Sequence, residues 1–402
     1  MMINTRKKEC NKLAYLFAVT YMISYMTRIN FGAIVSEMES ATGISRSLLS
    51  MSLTGSFITY GAGQIISGIA GDRISPKKLV SIGLLVTVLM NLILPLCQDP
   101  YQMLAVWCMN GFAQSFMWPP IVKLMVAMLD SDEYNYASVR VQWGCSLGTM
   151  VMYLCSPLLI ALFSWRAVFW FSALSGLVGL LIWNRFIQEP ENIQIQKKNT
   201  SSKTSRQLLT PLMFGVMAAI IMMGMLRDGI TTWMPSYIAE TYKLSNIISI
   251  LTGVVLPIFS ILCCRVTADL YRQKLRNPLL CAGSIFGVGT CAALLLFFLF
   301  NQGAAVSVFL AALLTGCMHG VNFVLISMLP PFFQKYGNTS TVSGILNACT
   351  YIGSALSTYG IALLSKGIGW GWTILVWFLI ALVGTVLCLV CVKPWAKEHP
   401  EL

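Results

Sequence analysis

The sequence predicts an all-α membrane protein: twelve transmembrane helices in two six-helix bundles related by pseudo-twofold symmetry. Three observations predict it. The composition is too apolar for a soluble domain, twelve apolar runs have membrane-crossing length, and an internal repeat divides them six and six. Of 402 residues, 56% are hydrophobic and only 10% are charged, whereas a soluble domain carries about 25% charged residues. The mean hydropathy is +0.73.

A helix needs roughly 20 apolar residues to cross a bilayer. On that measure the first half holds spans at 12–35, 48–70, 79–98, 101–129, 138–162 and 166–188. The second half holds 208–239, 247–269, 278–300, 303–333, 341–365 and 371–392. Between them, residues 189–207 read Glu189-Pro-Glu-Asn through Lys203-Thr-Ser-Arg-Gln207, a polar linker unable to bury a core. The bundles are therefore expected at 1–188 and 208–402. The start, Met1-Met-Ile-Asn-Thr-Arg-Lys-Lys8, runs into the first span with no small-residue cleavage site, as expected of a retained helix.

The net charge of +12 is a topology signal. Arg6, Lys7, Lys8, Lys12, Arg73, Lys77, Lys78, the linker lysines, Lys274 and Arg276 fall on one side of the membrane. Arg46, Arg166, Lys243 and Lys366 fall on the other. The positive-inside rule then places both termini in the cytoplasm. The acidic loop Asp130-Ser-Asp132-Glu133, on the same side, is the one exception. Basic residues spread over loops in this way do not form a nucleic-acid footprint. The 13 cysteines lie scattered in apolar runs beside only 2 histidines, so no metal or other cofactor is expected. No Gly-x-x-x-x-Gly-Lys-Ser/Thr loop and no nucleophile–base arrangement occurs. These absences point away from ATP-driven pumping and from an enzyme.

Inside the first span stands Arg28, in Tyr21-Met-Ile-Ser-Tyr25-Met-Thr-Arg28-Ile-Asn30-Phe31; inside the seventh stands Arg227. A charge near the bilayer centre costs about 2.5–3.5 kcal/mol on insertion scales, so such a residue points to function. The halves echo each other around the two arginines. Asp72-Arg73 ends the second span as Asp269 and Arg272 end the eighth, and Trp118-Pro119-Pro120 matches Leu329-Pro330-Pro331. Gly144 and Gly148 in the fifth span match Gly353 and Gly360 in the eleventh. Repeat-built transporters bind substrate near the midplane, where the repeats meet, so Arg28 and Arg227 are expected to face one another there. The competing structural reading pairs each arginine with a buried acid. Asp228 is adjacent to Arg227 but about 100° round the helix, which favours an anion site.

The twelve spans, the linker and Gly68-Ile-Ala-Gly-Asp72-Arg73-Ile-Ser-Pro-Lys77-Lys78 resemble the major facilitator superfamily across the whole chain. Within it, three stretches resemble the organophosphate:phosphate antiporters of the glycerol-phosphate and hexose-phosphate type. They are Tyr25-Met-Thr-Arg28-Ile-Asn30-Phe31, Asn110-Gly-Phe-Ala-Gln114-Ser-Phe-Met-Trp118-Pro119-Pro120, and Arg227-Asp-Gly-Ile-Thr-Thr-Trp233-Met-Pro235-Ser-Tyr237. The resemblance implies that Arg28 and Arg227 clamp the phosphate of the substrate and inorganic phosphate alike. The chain departs from that pattern at Ile29, Gln64 and Thr232, where the family commonly has Lys, Lys and Asp. Those departures leave a pocket whose positive charge is nearly all in the two arginines.

The expected substrate-binding set is Arg28, Arg227, Asn30, Gln64, Tyr25, His319, Asn322 and Tyr351, with Asn347 lining the same interface. His319 could protonate during transport, hydrogen-bond the substrate, or simply pack. The expected gating set is Asp72, Arg73, Lys123, Asp269 and Arg272. Asp72 is placed to accept from a helix N-terminus or to pair with a basic residue, and Lys123 to reach Asp130 or Asp132 by snorkelling. The protein expected is a monomeric, multi-pass secondary transporter of a bacterial inner membrane, exchanging a phosphorylated metabolite for inorganic phosphate. The alternatives are a proton- or sodium-driven carboxylate or sugar-acid symporter, and a transporter-like sugar-phosphate sensor.

Overall fold

In the computed structural model, residues 2–190, 210–244, 252, 255–336 and 338–398 are described. Most of the expected linker (191–207) and the start of the expected eighth span lie outside them. The described residues are helical, with no strand among them. The order is α1 (Met2–Ala33), α2 (Val35–Thr42), α3 (Arg46–Arg73), α4 (Pro76–Ile93), α5 (Pro100–Gln114), α6 (Trp118–Met128), α7 (Ser131–Leu162) and α8 (Trp165–Phe186). There follow α9 (Pro211–Tyr242), α10 (Val255–Gln273), α11 (Pro278–Leu299), α12 (Ala304–Asn322) and α13 (Thr339–Glu398).

The expected spans map onto these elements in order. The fourth is two helices, because Pro119 and Pro120 cannot donate to the preceding turn and instead open α6. The tenth is α12 followed by a π-helical turn, Phe323–Met328, and a 3-10 segment that starts at Pro330. The eleventh and twelfth run on as α13, broken at Gly369, whose φ of 82° suits glycine. Seven helical stretches among the described residues are by length and composition apolar enough to cross a membrane.

The chain forms two compact units. The first comprises Met1–Ser201 with Pro330–Ala348, and the second Ser202–Leu329 with Cys349–Leu402. In the first, Phe31, Trp107, Trp165 and Phe169 anchor an apolar core between α1, α5 and α8. There α1 crosses α7 at glycines: a Cβ on Gly144 would stand 2.3 Å from the Ala18 carbonyl oxygen, and one on Gly148 2.4 Å from that of Met22. The second unit repeats the device between α9 and α13. A Cβ on Gly353 would stand 2.2 Å from the Ile221 carbonyl oxygen, and one on Gly224 2.2 Å from that of Thr350. Small residues let membrane helices approach backbone to backbone. Arg28 follows Met22 at the spacing at which Arg227 follows Ile221, so each arginine leaves an equivalent crossing.

Gly144→Ala should lower the thermal midpoint in detergent, since overpacking a close contact costs about 1–3 kcal/mol. Gly360 has open space around it, so Gly360→Ala should leave the midpoint unchanged or raise it. Equal effects of the two substitutions would contradict the crossing described.

Candidate anion-binding site

In the first unit the Arg28 guanidinium lies over two tyrosine rings, 4.2 Å from the centroid of Tyr25 and 4.7 Å from that of Tyr60. Tyr25 packs on Tyr21 at 5.2 Å, and Tyr21 on Trp118 at 5.3 Å. Aromatic rings pack well against the flat guanidinium, whose fork geometry matches planar or tetrahedral oxyanions. Tyr60 was not among the expected residues, although it precedes Gln64 by one helical turn and so shares its face.

Behind Arg28, α1 is gripped by a buried amide network centred on Thr27. Ser24 Oγ donates to Gln114 Oε1 at 2.6 Å, and Gln114 Nε2 donates to Thr27 Oγ1 at 2.8 Å. The Thr27 carbonyl accepts from Asn91 Nδ2 at 3.2 Å and Asn110 Nδ2 at 3.3 Å. Asn30 joins this network and not the arginine: its Nδ2 donates to Asn91 Oδ1 at 2.7 Å, and its Oδ1 accepts from the Phe31 N–H at 3.0 Å. Two residues along a helix is about 200° of rotation, which turns Asn30 into the bundle. Gln64 is fully buried; it donates to the Ser115 carbonyl at 3.4 Å and accepts from Asn347 Nδ2 at 3.0 Å.

In the second unit the expectation for Arg227 needs correction, because a carboxylate does reach it. Nε and Nη2 form a bidentate pair with Asp228 Oδ1 and Oδ2 at 2.7 and 2.8 Å. Nη1 donates to Asn322 Oδ1 at 2.9 Å, and Asp228 Oδ2 also accepts from Ser354 Oγ. The 100° offset is spanned because the guanidinium curls back over its own turn. His319, one turn before Asn322, lies within electrostatic reach of Arg227 and Asp228. Tyr351 is half-buried, next to the Gly224 crossing at Thr350.

At the end of α3, Lys123 Nζ turns to the Gly71 carbonyl at 2.9 Å and to Asp72 Oδ1 at 3.4 Å, with both side chains 8% exposed. This corrects the expected pairing of Lys123 with Asp130 or Asp132. Asp130 instead meets Arg6 at 2.6 Å, and Arg6 also holds Glu133 at 3.1 Å, drawing the Glu133 carboxyl below the usual carboxylate range. Asp72 accepts from the N–H groups of Ser340 and Thr341, at 3.2 and 2.7 Å, in the opening turn of α13. Asp72 thus both accepts from a helix N-terminus and pairs with a basic residue. In the second unit Asp269 pairs with Arg265 on its own helix at 3.0 Å, and not with Arg272. Arg73 and Arg272 are exposed at helix ends.

The family model described as Major Facilitator Superfamily matches residues 17–358. The chain belongs to that superfamily. Among solved superfamily members, the fold resembles FucP with a TM-score of 0.76 at 11% identity, covering 94% of this chain and 98% of that one. It resembles the proton:xylose symporter XylE with a TM-score of 0.75 at 12% identity, covering 98% and 96%. Of curated relatives, the membrane sensor protein UhpC of Salmonella typhimurium is 22% identical over 55% of each chain. The glycerol-3-phosphate transporter of Bacillus subtilis is 22% identical over 84% of this chain and 82% of that protein. A probable hexose phosphate transport protein of Chlamydia pneumoniae is 23% identical over 45% and 40%. The chain thus spans about half the length of the first curated relatives it matches.

Lys123→Met should strand the buried Asp72 carboxylate and cost about 3–5 kcal/mol of stability. Asp72→Asn combined with Lys123→Met should be markedly less damaging than the sum of the single changes. Additive losses in thermal unfolding would contradict the pairing.

Proposed function

We propose that this superfamily member is a secondary transporter of a small organic anion, exchanging a phosphorylated metabolite for inorganic phosphate by alternating access. The reading rests on one observation above all. Two intramembrane arginines leave equivalent glycine crossings of the two halves, each with a fork geometry suited to oxyanions. In this reading Arg28 and Arg227 together recognise the phosphate. Tyr25, Tyr60 and Gln64 shape the Arg28 end, and Asn322, His319 and Tyr351 the Arg227 end. Asp228 holds the Arg227 fork when the anion is elsewhere and yields it on binding. The oxyanion, shared by substrate and counter-substrate, offsets the charge that otherwise opposes closure.

Asp72, Lys123 and the opening turn of α13 act as a gate on the cytoplasmic side. The protein works as a monomer in a bacterial inner membrane with both termini in the cytoplasm. Support for the cargo comes from relatives named for glycerol-3-phosphate and hexose phosphate transport. The relative named as a membrane sensor favours a second reading, in which the same clamp reports a bound sugar phosphate with little flux.

Counterflow into proteoliposomes loaded with inorganic phosphate tests the proposal. Exchange of a phosphorylated compound that survives an uncoupler is expected. Uptake that collapses with the proton gradient would contradict the antiport, and phosphate binding with no flux would support the sensor. Arg28→Lys and Arg227→Lys should each abolish exchange while expression stays near normal; normal exchange in either variant would remove the clamp.

A further inference from the structure

Lysine and arginine occur at eight positions inside the expected spans: Lys12, Arg28, Lys123, Arg140, Arg166, Arg185, Arg227 and Arg265. Arg140, on α7, takes no part in the site described above. Its guanidinium lies 3.2 Å from the centroid of the Tyr136 ring, 5.7 Å from that of Tyr15 and 5.8 Å from that of Trp143. Nη1 donates to the Tyr136 carbonyl at 3.4 Å. Nε is buried with no acceptor, and it is the only cationic nitrogen so placed among the described residues. Arg140 forms no ion pair among the described residues; Glu133 and Asp130, two to three turns earlier, are held by Arg6. The Asn11 side-chain oxygen is taken by Tyr136. One turn further along α7, the Trp143 Nε1–H is likewise buried without an acceptor.

An indole N–H and a guanidinium N–H can only donate. Two buried donors on one helical face, beside an uncompensated charge, lack the same thing: an anionic oxygen. Leaving each unsatisfied is destabilising. The rings of Tyr136, Tyr15 and Trp143 surround the guanidinium within cation–π distance.

We infer that Arg140 and Trp143 form a second oxyanion site in the first unit, which takes a phosphoryl group. The group is supplied either by free phosphate or a phosphate monoester, or by the headgroup of an anionic lipid. The lipid source is in reach because Arg140 lies in the first turn of the span 138–162 and Tyr15 beside it is 57% exposed. The site stands independently of the roles proposed for Arg28 and Arg227.

The test uses purified full-length protein in neutral detergent, as wild type, Arg140→Gln, Trp143→Phe and Arg28→Lys. Binding of radiolabelled inorganic phosphate is measured alongside retention of phosphatidylglycerol by native mass spectrometry. Trp143→Phe keeps an aromatic side chain and removes the N–H together with the pyrrole ring, and an unchanged thermal midpoint in this variant separates loss of the donor from a folding defect. Losing one charge-assisted contact should weaken the ligand about tenfold in both the Arg140 and Trp143 variants, with Arg28→Lys unaffected at this site. Weaker phosphate binding with unchanged lipid retention assigns the free anion, and the converse assigns the lipid. Unchanged phosphate binding and unchanged lipid retention in both variants would overturn the site.

Discussion

A guanidinium in the apolar interior of a membrane must be given something to hold, and in the second unit that need organises the side chains around it. Arg227 is gripped on one edge by Asp228 and on another by Asn322, and Ser354 steadies the carboxylate. One charged pair thus draws α9, α12 and α13 together. Burying such a pair is near break-even, because desolvation consumes most of the Coulombic gain. Its value lies in the alternative it offers. A carboxylate bound side-on to an arginine fork occupies the geometry that a phosphate or substrate carboxylate would take. In the proposed reading the arrangement is an anion site with an anion of its own.

The first unit meets the same need by other means. Arg28 lies on Tyr25 and Tyr60, and the amides of Asn91, Asn110 and Gln114 hold the backbone beside it at Thr27. The two arginines share a position in the repeat and an equivalent glycine crossing but differ in their supports. Away from them, Asp72 collects a lysine and two backbone amides at one buried point. In the proposed reading a single carboxylate there senses whether the opening turn of α13 is in place.

Much of this was legible in the sequence because the governing physics is one-dimensional. Span length, the separation of the eleventh and twelfth spans and the repeat all follow from the order of residues. What escaped was set by side-chain reach. Asn30 was placed beside Arg28 by its nearness in sequence, although a rotation of about 200° turns it toward Asn91. Asp228 was discounted by treating side chains as rigid spokes, whereas the long arginine folds back onto its neighbour. Lys123 was paired with acids near in sequence because nothing in one chain's spacing reveals that α6 brings it to Asp72. Arg140 drew no attention because it lies at the edge of a span, where an arginine is unremarked until its Nε is seen to lack an acceptor.

The central claim is that Asp228 occupies an anion site at Arg227 and competes with the ligand for it. Calorimetric titration of inorganic phosphate onto purified Asp228→Asn protein tests this most directly. Removing the internal competitor should leave phosphate affinity at least equal to that of the wild type. Loss of phosphate binding in this variant would contradict the claim and make the Arg227–Asp228 pair a purely structural bridge.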